Sequence, residues 1–462
     1  MFILNRLFTN DGVTPHPGRV MIFAFLFVIA IGTYLLMMPW ATVAGEISFI
    51  DALFTSTSAV CVVGLVVVDT GLTFTHSGHV LLLVLIELGG LGIMTFSTFF
   101  ILSLGKKLSF KDRPFLKENV GYLSNTNLLH LLVTMVFVIL FIQLIGAILY
   151  FIRFSTLMSF EDSIFYSIFY SISAFCAAGF TLFSDSLVQY RNDTFMNFTT
   201  IGLVLMGGFG FFVIEDLLIK IKALIRRQKM PPFSFQSKVI FVTTVWSIVI
   251  GTALFYLLER ENVLAGMSFK ESALTSLFQI ISVRHAGMST INWAEITNGT
   301  GLISIILMFI GGAPGSCVGG IKVTTFFVLT LLVISRMQGK TTVSAFKRNI
   351  SANTVTKSIS IFAAAFLFSL IMCILLEITE TQGVLTLEAR AQFIPIFFEV
   401  VSAFGTVGMS MGITPSLTFL GKWVIIITMF VGRIGPLALA LTIIPEEKKA
   451  LYSYPSESVL TG

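Results

Sequence analysis

Residues 54–64 read FTSTSAVCVVG, and this eleven-residue phrase ending in glycine recurs three more times along the 462-residue chain. Segments 169–179 (FYSISAFCAAG) and 398–408 (FEVVSAFGTVG) keep the phenylalanine, the Ser-Ala pair and the glycine in one register. Segment 277–287 (LFQIISVRHAG) is looser and keeps a serine and the final glycine. Each copy lies between two long apolar runs, where a short re-entrant helix would enter a membrane pore. Four copies in one chain indicate a single central pore.

Backbone carbonyls replace the hydration shell of a monovalent cation when the chain is held extended toward a pore axis. Glycine tolerates the positive φ that this geometry demands, and the negative end of each short helix favours a cation. The side chains differ while the glycine recurs, which favours carbonyl coordination over side-chain chemistry. The alternative is that small residues merely allow close helix packing. The predicted ligands of this selectivity filter are Val62, Val63 and Gly64; Ala177, Ala178 and Gly179; His285, Ala286 and Gly287; and Thr406, Val407 and Gly408.

The composition is that of an integral membrane protein. Hydrophobic residues make up 55% of the chain, charged residues make up 11%, and the mean hydropathy is +0.93. The apolar run 20–38 is long enough to span a bilayer, and no cleavage site follows it, so we expect a span rather than a signal peptide. The four cysteines show no CxxC spacing, so neither a disulfide framework nor a transition-metal site is expected. The sequence also contains no motif that predicts an enzyme.

Eight apolar runs form four pairs, and each pair encloses one segment too short to cross the membrane twice as helix. The predicted fold is therefore an all-α polytopic membrane protein, with four repeats of span, pore helix, filter loop and span around one central pore. The pore helices are predicted at 50–61, 161–176, 269–282 and 391–404. The spans are predicted at 20–38, 79–104, 128–152, 198–219, 239–258, 302–334, 358–379 and 422–444. The repeats are predicted at 20–104, 128–225, 239–335 and 358–444, joined by cytoplasmic loops 105–127, 226–238 and 336–357, with cytoplasmic termini 1–19 and 445–462.

Basic residues set the predicted orientation. Twenty of the 29 Lys and Arg residues lie at the termini, in the loops between repeats or shortly before the loop 226–238, and seven lie on the opposite side. Because the more basic side of a membrane protein is cytoplasmic, we expect both termini inside and the four filter segments entering from outside. The net charge of +5 then reflects topology, so a nucleic-acid partner is unnecessary.

A second set of glycine clusters follows the filters, beginning at Gly89, Gly207, Gly311 and Gly432. In the third repeat, five glycines and Pro314 fall within ten residues, so a regular helix cannot persist there. Non-helical backbone at membrane depth is buried in protein or lines a cavity, which makes this segment a candidate gate below the filter. The predicted gate loop consists of Gly311, Gly312, Ala313, Pro314, Gly315, Ser316, Cys317, Val318, Gly319 and Gly320.

Arg433 lies near the middle of the last predicted span, where a lipid-facing charge costs about 2.5–3.5 kcal/mol on insertion scales. We expect it to face the pore and to contact the gate loop as an electrostatic barrier. The alternative is a structural tie between helices. Lys322, two residues after the loop, is expected to extend to the cytoplasmic interface. Glu87 and Glu399, near the outer mouth, either attract cations or support the filter through hydrogen bonds.

The chain resembles the superfamily of Trk, Ktr and HKT potassium transporters, and within it the KtrB-type membrane subunits of bacterial Ktr systems. The resemblance covers nearly the whole length. Besides the four filters and the glycine loop, it rests on residues 14–15 (TP), 35–39 (LLMMP), 52–61 (ALFTSTSAVC) and 89–92 (GGLG).

This resemblance implies potassium uptake across the bacterial plasma membrane, with K+ as the substrate, Na+ as an activator and no covalently bound cofactor. It matches the four filter glycines, the gate loop and Arg433 to the family's filter, intramembrane gate and pore-lining arginine. It also implies a homodimer with one pore per subunit, beneath which a cytoplasmic ring of KtrA-like RCK subunits docks. ATP and ADP would act on that ring.

Two residues depart from the family pattern. Val63 and His285 stand where the first and third filters usually have threonine. Backbone coordination survives both changes, but the support of a hydroxyl is lost. A titrating His285 beside the ion path would add positive charge at acid pH and reduce conduction.

Two other functions fit part of the pattern. A non-selective monovalent cation channel would share the architecture. A solute carrier would use broken helices at mid-membrane and alternating access. Carriers usually show two related halves, whereas four like-oriented repeats favour a pore.

Overall fold

The computed structural model describes residues 17–91, 128–381 and 386–435. Most of the predicted N-terminus, the basic loop 105–127, the end of the last predicted span and the predicted C-terminus lie outside these residues. The described chain is largely helical, as predicted. Its helices are α1 (Pro17–Leu36), α2 (Phe49–Val60), α3 (His76–Gly90), α4 (Leu128–Phe154), α5 (Phe160–Cys176), α6 (Thr194–Ile225), α7 (Phe235–Glu259), α8 (Phe269–His285), α9 (Asn298–Phe309), α10 (Val323–Met337), α11 (Ala352–Glu380), α12 (Thr386–Gly405) and α13 (Phe419–Ile434).

Shorter elements connect these helices. Antiparallel strands β1 (Ser344–Ala345) and β2 (Arg348–Asn349) pair between α10 and α11, within the predicted loop 336–357. Single helical turns are formed by Thr70–Thr73, Val188–Tyr190, Trp293–Glu295 and Thr414–Ser416.

Four of the described helices, α4, α6, α7 and α11, are long and apolar enough to cross a membrane. They coincide with four predicted spans, which supports a multi-pass membrane protein. The apolar run 302–334 is divided into α9 and α10 by non-helical backbone, as its glycines predicted. Helices α3 and α13 lead toward residues 92–104 and 436–444, which lie outside the described residues, so the count of eight spans stays a prediction.

The short helices α2, α5 and α8 begin in the same way. Ser48, Ser159 and Ser268 each accept a hydrogen bond from the backbone N–H of an acidic residue three positions later. The cap satisfies a free N–H group, and the carboxylate stabilises the positive end of the helix. These starts agree with the predicted pore helices within one residue, whereas α12 begins at Thr386, five residues before the predicted start.

The helices pack in a closed order. Each of α2, α5, α8 and α12 packs against the helix before it and the helix after it. In addition, α3 packs on α5, α6 on α8, α9 on α12, and α13 returns to α2. An ion pair of 2.6 Å between Lys422 Nζ and Asp51 Oδ1 joins α13 to α2 at this closure. The ends of the four short helices therefore converge on one centre.

Candidate functional site: a glycine ring and the loop beneath it

The four glycine-ended segments meet in a closed ring. A Cβ atom built on Gly64 would lie 2.8 Å from the Cα of Gly179, and one built on Gly179 would lie 3.0 Å from the Ala286 carbonyl oxygen. A Cβ on Gly287 would lie 3.2 Å from the Cα of Gly408, and one on Gly408 would lie 2.8 Å from the Cα of Gly64. All four glycines have positive φ, from 66° to 94°, so any side chain there would be strained as well as crowded. The structure thus brings the predicted filter residues together.

Segments one, two and four end their helices with a Schellman motif. The N–H of Val63 donates to the Ser58 carbonyl at 2.8 Å, and the N–H of Val62 donates to the Ala59 carbonyl at 3.1 Å. In this motif the residue after the helix is left-handed, and Val62 has a φ of 54°. The Ser-Ala pair of the phrase therefore supplies the two carbonyls that turn the chain into the ring. The equivalent left-handed residues are Ala177 (φ 60°) and Thr406 (φ 51°).

The third segment is one residue shorter, which corrects the predicted alignment. Phe278 and Ser282 keep the spacing of the other copies, but Gly287 follows the serine one residue sooner. The Ser282 carbonyl accepts hydrogen bonds from the N–H groups of Ala286 (2.8 Å) and Gly287 (3.2 Å). Helix α8 consequently continues to His285. His285 therefore ends the helix instead of beginning an extended strand, and its role as a carbonyl ligand stays a prediction.

The His285 side chain is buried against α6 rather than open to solvent. It is 2% exposed, and a Cβ atom built on Gly208 would lie 3.1 Å from its Cδ2. The adjacent Arg284 is fully buried and donates to the Thr244 carbonyl at 3.4 Å. The hypothesis that acid pH reduces conduction through His285 stays a prediction.

In three of the four segments, a polar residue directly after the phenylalanine of the phrase holds the chain beyond the glycine. In the second segment, the Tyr170 hydroxyl accepts hydrogen bonds from the N–H groups of Leu182 (3.2 Å) and Phe183 (3.3 Å). In the third segment, Gln279 Nε2 donates to the Thr290 hydroxyl at 2.8 Å. These supports were not among the predicted site residues, although their fixed place after the phenylalanine is visible in the sequence.

In the fourth segment, the polar residue directly after the phenylalanine is Glu399. Its side chain is fully buried and accepts hydrogen bonds from the hydroxyls of Ser410 (2.7 Å) and Thr414. Of the two roles considered for Glu399, support of the filter fits these contacts. Glu87 likewise has a protein partner, since it accepts a hydrogen bond from Gln143 Nε2 at 2.9 Å.

The predicted gate loop is non-helical and is anchored to α6. The N–H of Ala313 donates to the Gly208 carbonyl at 3.1 Å, and the N–H of Phe211 donates to the Gly315 carbonyl at 3.1 Å. Between these anchors Gly210 has a φ of 69° and a ψ of 174°, which kinks α6. The kink frees backbone groups of α6 to bond with the loop.

Arg433 contacts the loop, as predicted, and also ties it to α3. It is 6% exposed and donates through Nη1 to the Cys317 carbonyl and through Nη2 to the Gly89 carbonyl. Both the predicted loop contact and the alternative structural tie are therefore present. No carboxylate among the described residues forms an ion pair with Arg433, so its partners are carbonyl dipoles.

Two more side chains hold the residues that follow Cys317. Lys322 Nζ donates to the Val318 carbonyl at 2.7 Å, so it turns back to the loop instead of extending to the membrane surface as predicted. The Thr406 hydroxyl accepts a hydrogen bond from the Gly319 N–H at 2.7 Å. Because Thr406 belongs to the fourth ring segment, this bond joins the loop directly to the ring.

The coordinating groups that the site offers are mainly backbone carbonyls. Within residues 17–91, 128–381 and 386–435, no group of three or more His, Cys, Asp or Glu side chains could hold a metal ion. Carbonyl oxygens suit an alkali cation, which must exchange its water ligands for oxygens of similar strength. The cysteines Cys61, Cys176, Cys317 and Cys373 are buried free thiols.

Comparison with known proteins gives long matches. Residues 17–452 match the family model described as "TrkH: Cation transport protein". The chain is 38% identical to the Ktr system potassium uptake protein B of Vibrio alginolyticus, over 98% of this chain and 96% of that relative. It is 35% identical to the Bacillus subtilis protein of the same name and 33% identical to the potassium/sodium uptake protein NtpJ of Enterococcus hirae, each over 96% of this chain and 97% of the relative.

The structure also resembles the crystal structure of the potassium transporter TrkH from Vibrio parahaemolyticus. The TM-score is 0.72 over 96% of this chain and 88% of that chain, at 19% sequence identity. At this identity the match shows a shared fold. The family match covers nearly the whole chain and consists of transporters, which confirms that the protein is not an enzyme. The chain belongs to the TrkH family of cation transport proteins.

Proposed function

We propose that this chain takes up potassium across the plasma membrane through a filter formed by the four glycine-ended segments. The observation that carries the proposal is the closed ring in which Gly64, Gly179, Gly287 and Gly408, all with positive φ, face one another. A ring of carbonyl-bearing backbone at the ends of four short helices suits a dehydrated monovalent cation. The potassium uptake named for the relatives at 38% and 35% identity supports K+ as that cation.

The architecture that we propose has four repeats with the bounds predicted from the sequence, eight spans and cytoplasmic termini. The closed packing order supports it, since the helix after each short helix packs on the next short helix and the last returns to the first. The distribution of Lys and Arg supports the orientation.

In this proposal, the carbonyl groups of the predicted filter residues coordinate K+. The third segment is one residue shorter than the other three, so its carbonyl groups are offset from theirs. This offset favours a second candidate function, a non-selective monovalent cation channel. Three segments share one left-handed turn, whereas Ala286 in the third has a φ of −126°. A ring with one irregular side discriminates less strictly between cations of different size.

The gate that we propose is the loop 311–320, with Arg433 as a pore-lining barrier. Three successive loop residues, 317 to 319, are held by side chains from α13, from the start of α10 and from the fourth ring segment. Such a loop has a defined closed position from which a partner can release it. Release requires the breaking of these side-chain hydrogen bonds and of the backbone hydrogen bonds to α6, rather than the refolding of a helix.

Regulation and assembly complete the proposal. The words "Potassium/sodium uptake protein" in the name of the Enterococcus hirae relative support Na+ as an activator or second ion. The homodimer and the KtrA-like RCK ring, through which ATP and ADP act, follow from the resemblance to Ktr membrane subunits.

Rubidium influx and growth at limiting potassium test the proposal in cells that lack their own potassium uptake, with and without Na+. Gly64→Ser places a side chain where a Cβ would lie 2.5 Å from the Ala178 carbonyl oxygen, whereas Gly202→Ser, on α6, meets nothing within 4 Å. We expect wild type and Gly202→Ser to rescue growth. Gly64→Ser should lose rubidium influx or admit sodium, and unaltered influx and selectivity in this variant would contradict the proposal.

A further inference from the structure

Arg284 places a buried positive charge beside the ring. It lies in the last turn of α8, three residues before Gly287, and its side chain is fully buried. One guanidinium nitrogen, Nη1, donates to the Thr244 carbonyl of α7 at 3.4 Å. The other two, Nε and Nη2, are buried and have no hydrogen-bond partner among the described residues. No carboxylate in the described part of the chain forms an ion pair with Arg284, so no acidic partner there offsets its charge.

The third segment differs from the other three in this charge. The short helices α2, α5 and α12 have no basic residue in their last turn. Counted from the serine of the phrase, the position of Arg284 is held in these segments by buried apolar residues, namely Val60, Phe175 and Phe404. Packing behind the ring therefore does not require an arginine. A charge that is costly to bury and unnecessary for packing points to an electrostatic role.

The charge of Arg284 opposes the dipole of its own helix. Each short helix ends at the ring, where the partial negative charge of its C-terminus favours a cation. A cationic side chain in the last turn of α8 offsets this partial charge on one side of the ring. Because the guanidinium bonds to α7, it acts on an ion in the ring through its electric field rather than through contact. Salt screens a buried charge much less than an exposed one.

We propose that Arg284 lowers the affinity of the ring for K+ and thereby speeds release of the ion. A conducting filter must bind its ion strongly enough to admit it and weakly enough to let it leave. Three helix ends without a basic side chain favour entry, and the fourth, offset by Arg284, favours departure. This inference rests on the proposed function of the ring as a potassium filter.

Rubidium influx into liposomes that contain the purified full chain, measured over a range of Rb+ concentrations, tests the inference. Arg284→Met removes the charge and keeps a long side chain, whereas Arg284→Lys keeps the charge. We expect the half-saturating Rb+ concentration to fall about fivefold or more in Arg284→Met, with a lower maximal influx. It should stay within about twofold of wild type in Arg284→Lys and in the control Arg260→Met, which removes an arginine that is 58% exposed.

An unchanged half-saturating concentration in Arg284→Met would overturn the inference, and so would an equal fall in Arg284→Lys. A fall with an unchanged maximal influx would overturn the effect on release and uphold the effect on affinity. Wild type without any rubidium influx would contradict the proposed transport function itself. Saturable wild-type influx that Arg284→Met reproduces in both parameters would contradict the inference alone.

Thermal unfolding in detergent separates this role from a structural one. Arg284→Met should not lower the Tm, because it removes a buried charge that lacks an acidic partner. Arg284→Gln is a second neutral variant, and it should show the same fall in the half-saturating Rb+ concentration. If Arg284→Met and Arg284→Gln both failed to fold, the arginine would be a structural residue and the inference would be wrong.

Discussion

Val62, Ala177 and Thr406 keep a left-handed backbone although none of them is glycine. Such a conformation costs on the order of 1–3 kcal/mol per residue, and more for β-branched side chains. It persists because the Schellman hydrogen bonds and the full burial of all three residues fix it. Such strain is expected where the backbone carbonyl groups of the ring segments must all keep pointing in one direction.

Glu399 gives a prediction at the scale of one residue. Glu399→Gln keeps an acceptor oxygen for Ser410 or Thr414, so rubidium influx should stay within about threefold of wild type. Glu399→Leu leaves two buried hydroxyls unpaired, at a cost of about 1–3 kcal/mol each, and influx should fall by roughly tenfold or more. Equal losses in the two variants would show that the negative charge itself is needed, which the hydrogen-bonded support does not predict.

The sequence predicted which residues belong to the ring but not how each one is used. The shared Phe, Ser and Gly positions were sufficient to find the four segments. The third segment is one residue shorter than the others, and this became evident only from the positions of Phe278 and Ser282 in the structure. In the sequence, the apolar Leu277 can be aligned with the phenylalanine of the other segments, which hides the difference in length. The supports Tyr170, Gln279 and Glu399 have partners about eleven to fifteen residues further on, a pairing that residue type alone does not reveal.

At the scale of elements, the gate loop and the ring are joined by one hydroxyl. Thr406→Val keeps the shape of the side chain but removes the acceptor for the Gly319 N–H. An unpaired buried N–H costs about 1–3 kcal/mol, which shifts a closed–open equilibrium on the order of tenfold. We therefore expect rubidium influx into liposomes that contain no regulatory partner to rise several-fold.

Thr406→Ser is the matched control, since it retains the hydroxyl and should retain low basal influx. If Thr406→Val and Thr406→Ser showed equally low basal rubidium influx, the hydrogen bond from the Gly319 N–H would have no part in holding the loop closed.

Helix positions could be predicted because apolar runs and their lengths decide them. The glycines and Pro314 likewise predicted the break between α9 and α10. The direction in which Lys322 extends could not be predicted. The amine of a lysine next to the first residue of a helix can reach either the membrane surface or the nearest carbonyl that lacks another donor. Here the Val318 carbonyl lies within 2.7 Å.

At the scale of the whole molecule, the ion pair between Asp51 and Lys422 closes the circle of helices. Their side chains are 20% and 15% exposed, so the pair should be worth more than a surface pair, on the order of 1 kcal/mol or more. Asp51→Asn and Lys422→Met form a double-mutant cycle, followed by thermal unfolding in detergent.

The exposed pair Arg260–Glu261, 58% and 82% exposed, provides the control cycle and should show almost no coupling. Additive effects of Asp51→Asn and Lys422→Met would mean that the pair does not hold the ring closed. No sequence pattern could have indicated this contact, since its partners lie 371 residues apart.

The central claim, that the four glycine segments coordinate the transported ion, is tested most directly by anomalous scattering from crystals of the full chain soaked in Rb+ or Tl+. The account predicts anomalous density on the axis of the ring, between the carbonyl groups of Gly64, Gly179, Gly287 and Gly408, and its loss in Gly64→Ser. Density elsewhere in the membrane region, or an empty ring in a protein that transports rubidium under the same conditions, would contradict it.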